Sequence, residues 1–104
     1  MNSHEKNLLR ILAAGLEKGD DTGLAGLNLA LSLCKRNPEV ITGAVRAAMK
    51  GKDASWLLAA RRTLGHAKAK GQVWDGPFQA VESEARLLSP YALTREQLNE
   101  LWTE

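Results

Sequence analysis

Apolar residues recur three and four positions apart along nearly the whole 104-residue chain, and five short clusters of glycine, proline and capping residues interrupt the recurrence. That spacing is the period of an α-helix, not the alternation of a strand. The interruptions fall at residues 19–22, 37–38, 51–53, 71–77 and 90–94. They leave segments of about 8 to 17 residues, the ordinary range of globular helices. The chain is therefore expected to be all-α, a compact bundle of five to six short helices forming one domain over residues 1–104. No internal repeat, sustained heptad seam or low-complexity linker divides it.

Local signals place each helix. The first starts at Asn2 or Ser3, with Asn2 and Glu5 as a capping box and Leu8, Ile11, Leu12 and Leu16 as its inner stripe. Gly19 ends it, and Asp20, Asp21 and Thr22 offer caps for the next, so the first connection is a tight turn. Residues 26–34 alternate leucine with small or polar residues, which competes as a strand. Leucine and alanine favour helix, however, and Asn28, Ser32 and Lys35 gather on one polar stripe. The segment reads as a helix apolar on most sides, and hence central.

Asn37 caps a third helix with Pro38 at its first position, where the missing N–H costs nothing. Ile41, Ala44, Val45 and Ala48 face inward; Glu39, Thr42, Arg46 and Lys50 face outward until Gly51. Asp53 caps a fourth, with Trp56, Leu57, Ala60, Leu64 and Ala67 inside and Arg62, His66 and Lys70 in one outer row. Residues 72–76 read as a loop, and Pro77 opens a fifth helix with Phe78, Val81, Ala85 and Leu88 inside and Glu82 paired to Arg86 outside. Pro90 is expected to stop it. Thr94 and Gln97 form a capping box for the last helix, with Leu93 and Leu98 as a hydrophobic staple and Leu98, Leu101 and Trp102 as its buried face.

The formal net charge of +2 hides an asymmetry. Residues 46–70 hold seven Lys/Arg against Asp53 alone, whereas residues 71–104 hold six acids against Arg86 and Arg95. Arg46, Lys50, Lys52, Arg61, Arg62, His66, Lys68 and Lys70 are thus the candidate phosphate- or anion-binding residues; a phosphate backbone rewards such a cluster through counterion release. The same residues also suit plain solvated helix faces. The third and fourth helices have the short connection of a helix-turn-helix, but the second would offer mainly Lys, Arg and Ala to base edges. The basic middle and acidic tail can complement each other within one copy or between two, so a homodimer is a further expectation.

Three tryptophans are many for so short a chain, and tryptophan carries much of the energy of protein interfaces. Trp56 reads as core, and Trp102 as the residue pinning the last helix. Trp74 lies between Val73 and Phe78 in the loop, where it either folds back as a lid on the bundle or anchors a partner. Val73, Trp74 and Phe78 are accordingly the candidate partner-binding residues.

Reactive signatures are lacking. There is no glycine-rich phosphate loop, nucleophile elbow or histidine pair at helical spacing. Cys34 and His66 could form a thiolate pair, but Cys34 falls on the apolar side of its helix and reads as core. One cysteine and two histidines cannot supply the usual zinc spacings, and the adjacent Asp20 and Asp21 lack the alternation of a calcium loop. No catalytic residue, metal or cofactor is assigned. No apolar stretch approaches the ~20 residues of a membrane span. The charged N-terminus lacks the apolar core of a secretory signal, which points to the cytoplasm. The expected function is that of a small non-enzymatic interaction module, an adaptor or inhibitor of a protein partner; the alternative is a nucleic-acid-associated protein using residues 46–70 against the phosphate backbone.

Overall fold

The computed structural model describes residues 3–102, with side chains described for all of these except 89–92. Among the described residues it contains six α-helices, two 3₁₀ turns and no strand. Helix α1 spans Ser3–Leu16 and buries Leu8, Leu12, Gly15 and Leu16. The expected Asn2 cap lies outside the described residues. Beyond Leu16 the chain turns at Gly19, whose φ of +77° is open to glycine at little cost. Asp20 then accepts the Thr22 N–H at 3.0 Å, opening a 3₁₀ turn, Asp21–Gly23, that leads directly into α2 at Leu24–Leu33.

Gly23 marks the tightest junction in the molecule. A Cβ there would lie 2.2 Å from the Gly15 carbonyl oxygen and 2.7 Å from Thr63 Cγ2. Only glycine lets the start of α2 approach α1 this closely.

α2 is helical, as leucine and alanine dictate, but it flanks the bundle and is not central. Leu27, Ala30 and Leu31 are buried against α1, while Ala25, Asn28, Leu29 and Ser32 face solvent. Ten residues with a one-sided contact cannot bury four faces. The helix closes through Lys35 and Arg36, two successive non-glycine residues at φ +54° and +58°. Such backbone costs on the order of 1 kcal/mol or more per residue. It is held because the Lys35 and Arg36 N–H groups satisfy the carbonyls of Ser32 and Leu31.

Asn37 caps α3, Pro38–Met49, accepting the N–H groups of Glu39 and Val40. After Gly51, at φ +76°, the Asp53 carboxylate accepts the Trp56 N–H at 2.8 Å and starts α4, Ala54–Lys68. This is the central helix: Ala54, Leu57, Leu58, Ala60, Thr63, Leu64 and Ala67 are all buried, against α1, α2 and the helix that follows.

The expected loop at residues 72–76 is largely wound. Gln72–Trp74 form a 3₁₀ turn, and α5, Asp75–Ala92, begins two residues before Pro77. First-turn N–H groups have no partner inside a helix, so proline is tolerated at the third position as it is at the first. Pro90 does not stop α5, which runs on to Ala92. The proline removes one ladder bond from the last turn, and the helix continues past it. Thr94 and Gln97 exchange hydrogen bonds, Thr94 N–H to Gln97 Oε1 at 3.0 Å and Gln97 N–H to Thr94 Oγ1 at 3.2 Å, and so cap α6, Arg95–Trp102.

α4 and α5 form an antiparallel pair, with Phe78 beside Gly65 and Arg61 beside Glu82. α3 runs alongside α5 in the same direction, Thr42 against Gly76 at one end and Met49 near Leu88 at the other. Consecutive α3 and α4 scarcely touch, because α5 packs against both. The radius of gyration is 12.9 Å, matching the ~13 Å of a folded chain of about 100 residues.

Candidate functional site

The eight basic residues singled out in the sequence do not form one surface. Arg61 is largely buried and spent on Glu82, with Nε at 3.0 Å and Nη2 at 2.9 Å from Oε2; its guanidinium also lies 5.4 Å from the Phe78 ring centroid. Arg62 reaches from α4 to α6 and grips both carboxylate oxygens of Glu100, at 2.6 and 2.7 Å. That bond holds the Arg62 guanidinium above its already high ordinary range. The acidic tail therefore neutralises part of the basic middle inside a single chain.

The remaining cations fall into two groups. Arg46, Lys50 and Lys52 sit where α3 ends, with the Lys52 ammonium 5.3 Å from the Trp56 ring centroid. His66, Lys68 and Lys70 are exposed at the far end of α4, with Lys68 4.6 Å from the Phe78 centroid. α4 is about 22 Å long, with Lys52 just before its start and Lys68 at its end, while Arg46 on α3 lines a hollow with Gln72 and Val73. Nor do α3 and α4 pack as a helix-turn-helix, whose two helices brace each other.

Between α3 and α5 run two adjoining hollows that share Arg46. One, about 390 Å³, is lined by Glu39, Thr42, Gly43, Gln72, Val73 and Gly76 besides Arg46. The other, about 400 Å³, is lined by Arg46, Met49, Lys50, Lys52, Glu84 and Leu88. The outward stripe Thr42, Arg46, Lys50 was visible in the sequence. That α5 would lie along it was not, because nothing local says which helix follows a given groove.

The tryptophans are distributed differently from expectation. Trp74 is only 4% exposed and packs into the core cluster. Val73 and Phe78 are half-buried against the same core, and Phe78 is roofed by Arg61 and Lys68. Trp56 is half-buried at the edge of the core. Trp102 does not pin α6. It is 57% exposed, with one ring face against the Arg86 guanidinium at 4.5 Å, and Leu101 beside it fills the core position. Leu87 is exposed at 70%, and Leu29 and Val40 are also open to solvent. Sequence periodicity could not rank Leu101 against Trp102, since neighbours on a helix differ by 100° and either fits a broad inner face.

Cys34 is buried at the end of α2, and burial pushes its thiol above the usual range. His66 lies exposed on α4. Asp20, held below the ordinary carboxylate range chiefly by hydrogen bonds from Thr22, receives a further small contribution from His66. Among the described residues no three His, Cys, Asp or Glu side chains converge as metal ligands, and no helix is long and apolar enough to cross a membrane. Comparison with protein-family models, curated proteins and solved structures finds no match to this chain.

Proposed function

We propose that this chain is a small helical interaction module, an adaptor or inhibitor that acts by binding another protein and not by catalysis. The observation that carries the reading is the exposure of Trp102 on α6 and of Leu87 on α5, with Trp102 backed by Arg86. Tryptophan and arginine dominate interface energetics, and large apolar side chains left open on a well-packed core are natural anchors. The surface expected around Trp74 gives way to this one, because Trp74 is buried.

The phosphate-backbone reading keeps some support from Arg46, Lys50 and Lys52, which make no ion pair among the described residues. It is the weaker of the two, since Arg61 and Arg62 are neutralised and the other cations lie at the opposite end of α4.

Affinity capture from source-cell extract with the wild type and with Leu87→Ser/Trp102→Ser decides the matter. Both positions are exposed, so the variant should keep its helical circular dichroism. A protein retained by the wild type and lost by the variant supports the proposal. Equal retention by both, or retention of nucleic acid alone that is lost at high salt, overturns it.

A further inference from the structure

We infer that the groove between α3 and α5 binds a short acidic segment of a partner protein that also carries an apolar side chain. The inference rests on the interaction reading for the kind of partner; the cations that carry it lie on α3 and the turn after it, while Glu84 and Leu88 share α5 with Leu87.

Charge selects the occupant. Arg46, Lys50 and Lys52 line the hollow beside Met49 with no carboxylate within ion-pairing distance among the described residues. Everywhere else along the α4–α5 side the chain has answered its arginines itself, Arg61 with Glu82 and Arg62 with Glu100. Here it has placed three cations around one acid, Glu84. Uncompensated like charges beside a concavity raise the local concentration of an anionic ligand and set its orientation.

Shape then separates a peptide from a polyanion. Among its lining residues the hollow also has two apolar side chains, Met49 and the half-buried Leu88. A phosphate backbone has nothing to place there, and it would meet only three cations before the positive surface ends. An amphipathic helical segment with acidic residues flanking an apolar face satisfies both the cations and the apolar side chains. Arg46 also lines the second hollow, but Glu39 lines it too, so the acidic residues of the segment belong at the Lys50 and Lys52 end and only uncharged ones toward Val73 and Gly76. Helix-in-groove recognition uses this combination of an apolar anchor and flanking charges.

The test is fluorescence anisotropy with a fluorescein-labelled peptide of about three helical turns, with leucines on one face and glutamates elsewhere. A matched peptide with lysine for glutamate and a labelled DNA duplex serve as the other probes. The acidic peptide should bind; Arg46→Glu/Lys50→Glu should weaken it at least tenfold, and Glu84→Gln should tighten it two- to threefold. The gain in Glu84→Gln cannot come from misfolding. Absence of binding, indifference to all these substitutions, or tighter binding of the duplex through the same two residues overturns the inference. If the peptide fails while Leu87→Ser/Trp102→Ser still loses a captured protein, the groove assignment falls and the interaction module stands. If both fail, the interaction reading falls with it.

Discussion

The Thr63 hydroxyl, at the centre of α4, donates to the carbonyl of Leu16 at the end of α1 across 2.9 Å. The same oxygen accepts the Gly19 N–H at 2.9 Å. One fully buried side chain thus satisfies both a helix-end carbonyl and the turn that follows it, groups that otherwise have no partner away from water. Thr63→Val keeps the shape and removes both bonds, and is expected to cost about 1–3 kcal/mol. Urea unfolding monitored by circular dichroism checks this. Thr63→Ser, which retains the hydroxyl, should lose less.

Glycine positions differ sharply in what they tolerate. Gly23→Ala drives a methyl into the Gly15 carbonyl, a backbone atom that cannot swing aside, so α1 and α2 must separate and stability should fall by about 1–3 kcal/mol. Gly43 lies inside α3 with nothing within 4 Å of its added Cβ, so Gly43→Ala should stabilise by about 0.5–1 kcal/mol. Thermal melts of the two variants should move in opposite directions.

What was legible in the sequence was whatever is decided locally. Asn37 before Pro38, Asp53 before α4 and the Thr94–Gln97 box all cap where short-range pattern places them, because a cap and the N–H that donates to it lie within three residues. Pro77 misled because the first-turn N–H groups of a helix need no partner, and Pro90 because a helix can run on past a proline with the loss of one ladder bond. Long-range facts left no local trace. The choice of Leu101 over Trp102 for the core, the flanking place of α2, and the use of Glu82 and Glu100 to neutralise Arg61 and Arg62 all depend on which helices become neighbours. The basic run from 46 to 70 looked continuous in the chain and is divided in space by the length of α4.

Cys34 should be slow to react. Burial favours the neutral thiol, so at mildly alkaline pH the folded protein holds less thiolate than a free cysteine. Labelling by a thiol-reactive disulfide reagent should be about a hundredfold or more faster in denaturant than in native buffer. The sign of the linkage follows. Above the ordinary thiol range the unfolded chain ionises while the folded one does not, so the contribution of this group to stability declines as pH rises toward the folded value. Cys34→Ala should remove that alkaline slope.

Arg62 and Glu100 supply the ion pair that joins α4 to α6, and both side chains are substantially exposed. Exposed pairs contribute little to global stability, here about 0–1 kcal/mol even with bidentate geometry. Arg62→Ala should therefore barely move the global unfolding transition. Its effect should be local, because α6 is short and meets the bundle mainly through α5, Leu101 and this pair. Amide exchange in α6 should accelerate severalfold in Arg62→Ala while protection in α4 stays unchanged. Raising the salt concentration on the wild type should reproduce part of that acceleration, because screening weakens a solvent-exposed pair. If exchange in α6 is insensitive to both changes, then Leu101 and the Thr94–Gln97 cap hold the last helix without help from the charge pair.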